Sequence, residues 1–542
     1  MGNHEGALSL ETLSGILSAS ASAHPQRSCI VTKESSFSYR DINQATNAFA
    51  NGLLALGIKP GDKVAILIAN HVEFVVCFFA ILKIRAVVVP INVKYKADEL
   101  RHVIDHSDAA VLIVAEEFHK VITPVRDSLA GLEHVIWVES SNGPHHLVTE
   151  MRGARDPRYG QLLATNLRTE PNVVVHPEDE AVMFYTSGTT GKPKGAICTH
   201  CNCLTAIDGW IEALKITEHS RSLMVTPFFH NAFNAFVVTL FRAGGSTVLV
   251  ESFQMKSLLA AIVACRPTLM FATPSIYIAL LEGVGDEAAD LQSLGTLVYG
   301  AAPMPVEVIK RLGQVFPEAA LYNAYAQSET CPAISFLEPQ YAISKAGSVG
   351  KGVRGVTIAI LDEGHLMLPP MVVGEICCRG THVMKGYYRQ PEMTAKKIID
   401  GWLHTGDMGY LDHDGFLFLV NRKDDLIITG GENVYPQEVE ELLYTHPDVL
   451  DAAVIGIPHP VRGQVVAAFV VAKLGHCVEP IILRRFCAEH LATFKVPRHV
   501  RVVDALPRNS SGKVVRAVLL RWWGNVQSHS AKDFIREEEV TS

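Results

Sequence analysis

Residues 185–195 combine the side chains and the backbone freedom that phosphate binding requires. The segment reads Tyr-Thr-Ser-Gly-Thr-Thr-Gly-Lys-Pro-Lys-Gly and follows an apolar run, residues 181–184, that predicts a strand. Its glycines allow a tight turn that brings backbone N–H groups close to a ligand, and successive N–H groups form an anion-binding nest. The hydroxyls add donors and the lysines add positive charge. The segment therefore predicts a phosphate-binding loop.

This loop does not match the Walker A pattern, in which Gly and four further residues precede Gly-Lys-Ser/Thr. Here two residues separate Gly188 from Gly191, and Pro193 follows Lys192, so a P-loop NTPase is disfavoured. The simpler alternative is a glycine-rich surface turn. The ordered string instead resembles the signature loop of the adenylate-forming superfamily, which contains acyl-CoA synthetases, luciferases and the adenylation domains of peptide synthetases. This resemblance implies an ATP-binding role for Thr186, Ser187, Gly188, Thr189, Thr190, Gly191, Lys192 and Lys194, with Thr186 also beside the metal.

Further segments resemble the later motifs of this superfamily, and they occur in the same order. They are Gly300-Ala301-Ala302-Pro303 and the segments 322–330, 402–407, 421–425, 429–436 and 506–513. The resemblance extends from about residue 30 to about residue 520 and so covers nearly the whole chain. A series of this kind is much more specific than any one short motif.

The segment Tyr-Asn-Ala-Tyr-Ala-Gln-Ser-Glu-Thr contains groups suited to a nucleotide and its metal. Tyr325 offers a face on which adenine can stack, and Asn323 can hydrogen-bond the adenine amino edge. Ser328 supplies a hydroxyl for phosphate, and Glu329 is a hard oxygen ligand suited to Mg²⁺. The alternative is an ordinary polar loop. The resemblance adds four residues that line the adenine pocket: Gly300, Ala301, Ala302 and Ala324.

Two later segments imply ribose recognition and a hinge. Asp407, at the end of Trp-Leu-His-Thr-Gly-Asp, can accept hydrogen bonds from two vicinal ribose hydroxyls, with Arg422 supporting it. Asp424 corresponds to the residue about which the two domains of the resembled enzymes rotate. A solvated charge run is the alternative interpretation of this second segment.

The remaining motifs lie in the last part of the chain. In the resembled acyl-CoA synthetases, glycines at the positions of Gly430 and Gly431 let the pantetheine arm of CoA pass close to the backbone. Lys513, in Pro-Arg-Asn-Ser-Ser-Gly-Lys, corresponds to the adenylation lysine. Placed between the α-phosphate and the attacking carboxylate, such a lysine stabilises the transition state electrostatically. Lys513, Glu329 and His230 are therefore the predicted catalytic residues.

The acyl pocket is expected beside Pro227-Phe228-Phe229-His230. His230 lies near the reacting carbon or gates the tunnel, and a buried structural histidine is the alternative. The family often has Gly where Phe233 stands, so the bulky ring predicts a substrate set different from generic long-chain fatty acids. The predicted pocket residues are Phe228, Phe233, Tyr277, Pro303 and Cys331. With no evident basic residue among them, an apolar monocarboxylic acid is expected.

Composition excludes several function classes. The 542 residues are 48% hydrophobic and 19% charged, which allows a large core, and the net charge of -8 disfavours a general nucleic-acid binder. No secretory signal or membrane-spanning run is evident, so a cytoplasmic protein, as a monomer or homodimer, is expected. Cys198, Cys201 and Cys203, with His200, suggest zinc, but a second half-site is missing and buried cysteine is favoured.

Strand–helix alternation predicts an α/β fold. The expected architecture is a large N-terminal domain of doubly wound, mainly parallel sheets with a small β-rich subdomain, followed by a small mobile α+β domain. The predicted boundaries are residues 1–421 for the acyl- and ATP-binding domain, 422–424 for the hinge and 425–542 for the C-terminal domain.

The predicted function is an ATP-dependent acid–CoA ligase that uses Mg²⁺. A carboxylate attacks the α-phosphate of ATP, pyrophosphate leaves, and the CoA thiol then displaces AMP from the acyl-adenylate. Asn421 and Gln464 depart from common acyl-CoA synthetase residues, so transfer to an amino acid remains an alternative, as does transfer to a carrier-protein thiol. A non-catalytic nucleotide binder is disfavoured because Glu329 and Lys513 are both present.

Overall fold

The computed structural model describes residues 11–139, 156–164, 167–186, 193–250, 254–284, 291–422, 425–509 and 512–527, with the backbone alone for 421–422 and 525–527. The chain divides into two compact units. The first comprises Met1–Met371, Ile376–Thr405 and Leu411–Phe418, and the second comprises Val372–Glu375, Gly406–Tyr410 and Leu419–Ser542. The predicted domain boundaries at 421 and 425 stay predictions.

The secondary-structure elements follow the predicted alternation. The strands are β1 (Ser28–Val31), β2 (Ser36–Ser38), β3 (Lys63–Leu67), β4 (Val87–Pro90), β5 (Ala109–Ala115), β6 (His134–Val138), β7 (Glu180–Thr186), β8 (Lys194–Thr199), β9 (Arg221–Met224), β10 (Ser246–Leu249), β11 (Leu269–Ala272), β12 (Thr296–Gly300), β13 (Ala320–Tyr325), β14 (Ser335–Leu337), β15 (Ser348–Gly352), β16 (Thr357–Leu361), β17 (Gly374–Arg379), β18 (Gly386–Tyr387), β19 (Ile398–Ile399), β20 (Trp402–Leu411), β21 (Leu417–Arg422), β22 (Ile427–Thr429), β23 (Glu432–Val434), β24 (Val449–His459), β25 (Gly463–Ala472) and β26 (His499–Val502).

The helices of the first unit are α1 (Gly15–Ala23), α2 (Tyr39–Ala55), α3 (Val72–Lys83), α4 (Ala97–Ser107), α5 (His119–Ile122), α6 (Tyr159–Leu163), α7 (His200–Leu214), α8 (Thr239–Arg242), α9 (Met255–Cys265), α10 (Pro274–Gly283), α11 (Val306–Val315) and α12 (Pro391–Lys397). Those of the second unit are α13 (Pro436–Tyr444), α14 (Pro480–His490) and α15 (Arg516–Gln527). Short 3-10 helices cover Glu116–Phe118, Arg126–Ser128, Ser328–Thr330 and Pro339–Tyr341, and a π-helical turn covers Asn234–Val238. Within the described ranges, no helix is both long and apolar enough to cross a membrane.

Two sheets organise the first unit. One has the order β18-β8-β7-β4-β3-β5-β6, parallel from β7 to β6 and antiparallel at β7–β8 and β8–β18. In the other, β1, β10, β9, β11, β12 and β13 are parallel neighbours in that order. The expectation of mainly parallel sheets is confirmed. The short strands expected near residues 374–380 are present and continue the second sheet beyond β15.

Local sequence signals explain where these elements begin. The Ser38 hydroxyl accepts a hydrogen bond from the Asp41 N–H and the Asp41 carboxylate accepts one from the Ser38 N–H, so a capping box starts α2. Residues 74–83 of α3 are all buried, which its nearly continuous apolar sequence requires. The parallel strands that flank α3 in the chain, β3 and β4, are also almost wholly buried.

The second unit is an α+β body with cores on both faces of its sheet. Strands β24 and β25 form a long antiparallel pair, β26 lies parallel to β25, and β22 pairs with β23 and β25. Helices α13 and α14 pack on one face through Val439, Leu443, Leu483 and Cys487. The other face is covered by Leu506, Leu519 and neighbouring apolar residues. The predicted small α+β domain therefore has its own hydrophobic core.

Candidate functional site

The two ends of the signature loop are held together as neighbouring strands. Strand β7 leads into the loop and β8 leaves it, with Tyr185 paired to Gly195 and Thr186 paired to Lys194. The predicted ATP-binding residues Ser187, Gly188, Thr189, Thr190, Gly191 and Lys192 lie outside the described residues. The loop is thus a hairpin connection whose base is fixed by an antiparallel ladder.

Two histidines brace the base of this loop, and sequence reasoning missed both. The Tyr185 hydroxyl lies 2.7 Å from Nδ1 of His106, and Nε2 of His102 lies 3.2 Å from the Pro193 carbonyl oxygen. His102 and His106 are one turn apart on α4, which puts both rings on the same face. Burial, followed by the neighbouring His102 charge, lowers the pKa of His106. The spacing of His102 and His106 by four positions was the available signal in the sequence, but nothing there indicated that either histidine contacts the signature loop.

Glu329, the predicted Mg²⁺ ligand, is anchored beside the strand that leaves the loop. It lies in the 3-10 helix Ser328–Thr330 and is 8% exposed. The Tyr387 hydroxyl donates to Glu329 Oε1 over 2.7 Å, and the Met384 N–H donates to the Glu329 carbonyl oxygen. Tyr387 belongs to β18, which pairs with β8, and Lys194 Nζ lies 5.8 Å from the centre of its ring. An oriented carboxylate with hard oxygen atoms fits a Mg²⁺ ligand.

The predicted adenine-pocket residues meet at the carboxyl ends of two parallel strands. Strands β12 and β13 are paired so that Gly300 is opposite Ala324. A Cβ atom on Gly300 would lie 2.4 Å from the Ala324 carbonyl oxygen, so only glycine fits there. Ala301 follows with a φ of 66°, in the left-handed region, where the chain turns sharply away from the strand. Nucleotide sites in open α/β sheets lie at such strand ends.

The polar groups of this region have defined partners. Asn323 donates one amide N–H to the Ser348 carbonyl oxygen over 2.8 Å, which uses one of its two N–H donors. Asn231 Nδ2 lies 3.4 Å from the Ser328 carbonyl oxygen. Tyr325 is 8% exposed, so little of its ring faces solvent. The proposed roles of Asn323, Tyr325 and Ser328 toward ATP stay predictions.

Four phenylalanines form one aromatic cluster where the acyl pocket was predicted. The ring centre of Phe233 lies 5.2 Å from that of Phe74, 4.8 Å from that of Phe78 and 5.0 Å from that of Phe228. Asn70 fixes the adjoining backbone, because its Oδ1 accepts from the Phe228 N–H and its Nδ2 donates to the Thr226 carbonyl oxygen. We refer to these four rings as the phenylalanine wall.

Sequence reasoning placed Phe228 and Phe233 at the acyl site but missed Phe74 and Phe78. Both lie on α3, one turn apart, and in the sequence they are indistinguishable from ordinary core residues. Their contact with Phe233 joins residues more than 150 positions apart in the chain (233 − 78 = 155). No local pattern could reveal this pairing.

The other predicted acyl-site residues occupy varied surroundings. Tyr277 is fully buried, and its hydroxyl donates to the Met270 and Val298 carbonyl oxygens over 3.0 and 3.1 Å. His230 is half-buried in the turn that precedes Phe233, and Pro303 is exposed. Cys331 is fully buried. Tyr277 thus has a clear packing role, and the assignment of these residues to the pocket remains a prediction.

In the second unit, Lys513 projects from a tight, exposed turn. The Asn509 Oδ1 atom accepts from the Lys513 N–H over 2.9 Å, and the Asn509 N–H donates to the Lys513 carbonyl oxygen. Arg508 secures the turn by donating to the Gly512 carbonyl oxygen over 2.7 Å and to Asp451 Oδ2 over 2.6 Å. These hydrogen bonds hold the backbone of Asn509 and Lys513 together, and the Lys513 residue is exposed.

Gly430 and Gly431 form the turn between β22 and β23. Both have positive φ, at 61° and 89°, and a Cβ atom on either would meet no atom within 4 Å in this structure. A two-residue hairpin turn of this kind needs left-handed backbone at both central positions. Gln464 supports the preceding strand by accepting from the Ile428 N–H over 3.0 Å. This departure from the common family residue thus has a structural role.

Asp407 lies on β20 and is 9% exposed. The preceding Gly406 N–H donates to Glu375 Oε1 over 3.0 Å, which fixes the backbone beside the aspartate. The Arg422 side chain and the whole of Asp424 lie outside the described residues. Their roles in ribose binding and as the hinge stay predictions.

Three buried cysteines converge next to Glu329. The Sγ atoms of Cys198, Cys203 and Cys331 all lie within 4.8 Å of one another. Cys198 and Cys331 hydrogen-bond the Cys203 sulfur and lower the pKa of Cys203 to about 5, while the bond to Cys203 raises the pKa of Cys198. Of the three cysteines singled out in the sequence, Cys198 and Cys203 are buried as expected and Cys201 is only half-buried, and the third sulfur of the cluster belongs to Cys331.

Known families and proteins match this chain along most of its length. The AMP-binding enzyme family matches residues 17–388, and the AMP-binding enzyme C-terminal domain matches residues 438–513. A 3-[(3aS,4S,7aS)-7a-methyl-1,5-dioxo-octahydro-1H-inden-4-yl]propanoyl:CoA ligase from Mycobacterium tuberculosis (strain ATCC 25618 / H37Rv) is 35% identical over 504 residues, covering 91% of this chain and 96% of that protein. Feruloyl-CoA synthase from Amycolatopsis sp is 34% identical over 488 residues, covering 90% of this chain and 94% of that protein.

A solved structure agrees with this assignment. The crystal structure of the anthranilate CoA ligase AuaEII in complex with anthranoyl-AMP matches with a TM-score of 0.87 at 25% identity, over 96% of this chain and 98% of that one. Both domain families are present in their expected order, and the similar proteins named above are CoA ligases or synthases. The chain therefore belongs to the AMP-binding enzyme family, within which it is an AMP-forming acid–CoA ligase.

Proposed function

We propose that this acid–CoA ligase activates an apolar monocarboxylic acid that carries a ring, rather than a long-chain fatty acid. The phenylalanine wall is the observation that supports this proposal. Its four rings are each at most 1% exposed and pack against one another where the acyl pocket is expected, so a pocket beside them would be bounded by aromatic side chains, against which a planar ring packs favourably. Feruloyl-CoA synthase and the anthranilate CoA ligase, both similar to this chain, are named for ring-bearing acids.

Adenylation is the first half of the proposed reaction. The signature loop binds the β- and γ-phosphates, the Gly300 and Tyr325 strand ends bind adenine, and Asp407 with Arg422 binds ribose. Glu329 holds Mg²⁺, which neutralises phosphate charge when bound. Lys513 stabilises the charge that develops as a carboxylate oxygen of the acid attacks the α-phosphorus and pyrophosphate leaves.

Thioester formation is the second half. We infer that the second unit rotates about Asp424, withdrawing Lys513 and bringing the Gly430–Gly431 turn to the active site. The exposed glycine turn offers backbone along which the pantetheine arm of CoA can lie. The CoA sulfur then attacks the acyl carbon, the thiol proton is lost, and AMP leaves with the electron pair of the broken C–O bond. A cytoplasmic location and a monomeric or homodimeric state remain predictions.

A panel of acids tests the substrate proposal. ATP–pyrophosphate exchange is measured with benzoate-type and cinnamate-type acids, medium- and long-chain fatty acids, and the dicarboxylate counterpart of each. The proposal expects the ring-bearing monoacids to give the highest kcat/KM, followed by thioester formation when CoA is added. Preference for a long-chain fatty acid or for a dicarboxylate would overturn it. Amide formation with amino acids in place of CoA would contradict the assigned acceptor.

A further inference from the structure

Three thiols from three different structural elements meet in one buried cluster. Cys198 lies on β8, Cys203 on α7, and Cys331 directly after the 3-10 helix Ser328–Thr330. All three side chains are fully buried, and their sulfur atoms lie within 4.8 Å of one another. Among the described residues, this is the group of cysteine, histidine and acidic side chains whose ligand atoms converge in this way.

The spacing of the sulfurs is close to that required by one shared metal ion. Zinc–sulfur bonds are about 2.3 Å long, so three sulfurs bound to one ion lie roughly 3.8–4.0 Å apart. The observed upper limit of 4.8 Å means that each pair needs to approach by less than about 1 Å. Side-chain rotation about the Cα–Cβ bonds can supply a shift of this size without moving the strand or the helix.

A buried amide provides a second, independent indication of a ligand. Asn234 is fully buried, and its Nδ2 atom lies 3.7 Å from the Cys203 sulfur. Its Oδ1 atom has no hydrogen-bond partner among the described residues. Buried amide oxygens in native structures nearly always have a partner. Because the two ends of a carboxamide have almost the same shape, rotation of the amide by half a turn places this oxygen toward the sulfurs.

We propose that Cys198, Cys203 and Cys331 form a binding site for one thiophilic divalent metal ion of the Zn²⁺ and Cd²⁺ class, with the Asn234 amide oxygen as the fourth ligand. Each cysteine binds the ion as a thiolate, and a sulfur that is still protonated before binding breaks its S–H bond and releases the proton to solvent. Three sulfurs and one oxygen around Zn²⁺ complete a four-coordinate structural site, with no open position for catalysis.

The site would join the two parts of the adenylation machinery. Cys198 belongs to the strand that leaves the signature loop, and its sulfur lies 3.8 Å from the Ser328 carbonyl oxygen. Cys331 directly follows the helix that carries Glu329, and it has a left-handed φ of 56°. A bound ion would therefore fix the distance between β8 and the Glu329 turn. The ion is separate from the Mg²⁺ assigned to Glu329.

Metal content tests the proposal without depending on activity, so its failure is distinct from failure of the substrate assignment. The parent for this experiment is the full-length protein with the substitution Cys477→Ser, which removes an exposed thiol. It is expressed with added Zn²⁺ and purified without chelators. Elemental analysis is expected to find one Zn²⁺ per chain. Exchange with Cd²⁺ is expected to give a sulfur-to-cadmium charge-transfer band in the ultraviolet. Cys203→Ser and Cys331→Ala each remove one ligand and are expected to lower the Zn²⁺ content to well below one per chain.

Cys487→Ser is the matched control, because Cys487 is buried in the second unit and outside the cluster. It is expected to retain one Zn²⁺ per chain, and circular dichroism identifies any variant that fails to fold. If Cys203→Ser does not fold, the comparison is made with Cys331→Ala. Equal metal content in the parent and the folded cluster variant would overturn the proposal. The proposal would also be overturned if the denatured, metal-free protein had two fewer free thiols than expected, because two of the cluster sulfurs would then be joined in a disulfide.

Discussion

The hydroxyl of Tyr387 donates a hydrogen bond of 2.7 Å to Oε1 of Glu329, across 58 positions of the chain. The bond restrains the position of Oε1. Because the carboxylate is planar, the same bond also limits the positions that Oε2 can take. Tyr387 is itself held by β18, whose neighbour β8 begins at the end of the signature loop. The proposed metal ligand and the proposed phosphate loop therefore share a single structural support.

Replacing Tyr387 with Phe is expected to weaken adenylation by about ten- to a hundredfold, because a hydrogen bond to a charged group contributes about 1.5–3 kcal/mol and about 1.4 kcal/mol is a factor of ten. The loss should be largest at low Mg²⁺ concentration, where orientation of Glu329 matters most. ATP–pyrophosphate exchange measured over a Mg²⁺ series checks this. Tyr388→Phe is the control, since the Tyr388 hydroxyl bonds Asp108 at the surface. Equal behaviour of the two variants would contradict the role given to Tyr387.

The Lys513→Ala variant is expected to separate the two half-reactions. Loss of an electrostatic group that acts on the transition state costs on the order of 10²–10³ in rate. ATP–pyrophosphate exchange should fall by that factor, while conversion of a supplied acyl-adenylate and CoA to thioester stays near the wild-type rate. Lys473→Ala is the control, because Lys473 is a half-buried lysine of the second unit whose ammonium group donates to the Pro447 carbonyl oxygen. Equal loss in both half-reactions would refute the proposed domain rotation.

Truncation of the phenylalanine wall is expected to change substrate preference. Phe233→Ala removes a fully buried ring and should lower the free energy of unfolding by about 3–5 kcal/mol. The space it leaves should raise kcat/KM for longer-chain acids relative to ring-bearing ones. The control is Phe241→Ala, since Phe241 is equally buried but packs on Tyr39 and Phe79. If both variants keep the wild-type preference, Phe233 does not shape the acyl pocket.

His382 is expected to make stability depend on pH. Its side chain is fully buried, and burial lowers the pKa of His382 from 6.5 to about 4. The neutral form is thus favoured in the folded state, so its contribution to stability is present above pH 6.5 and is lost as pH falls through about 4. Between pH 7 and pH 5 the loss amounts to about 2 kcal/mol.

The corresponding measurement is urea unfolding of wild type and His382→Gln at pH 7 and pH 5. The variant should lose about 2 kcal/mol less stability between the two pH values than wild type does. His413→Gln is the control, because His413 is exposed. A wild-type pH response in His382→Gln would show that other groups account for the acid sensitivity.

Much of the fold was accessible from local patterns. Helix α2 begins at the capping box of Ser38 and Asp41, and strands β3, β4 and β5 coincide with short apolar runs in the sequence. These features depend on neighbours within a few positions, which a sequence displays directly. The two glycines at 430 and 431 likewise indicated a turn, and they form the β22–β23 hairpin connection.

The supports of the candidate site were not accessible in the same way. Tyr387, His106 and Phe78 are ordinary residues in the sequence, and each gains its significance from a partner at least 58 positions away. Such contacts arise because elements far apart in the chain, such as β18 and β8, are neighbours in the fold. Cys331 shows the same limitation. Its proximity to Cys198 and Cys203 follows from the contact of β8 with the Glu329 turn and not from spacing along the chain.

The pairing of β1 with β10 has a consequence for how the protein is made. Ile30 lies opposite Thr247, so 217 residues (247 − 30) separate the two partners. At about 5–20 residues per second, a ribosome needs on the order of ten to forty seconds to synthesise that interval. During this time Cys29 and Ile30, both fully buried in the finished protein, have no β10 against which to pair. The β1–β2 hairpin therefore has an unpaired edge until β10 is made, when only β1, β2, β9 and β10 of the described 14-stranded sheet exist.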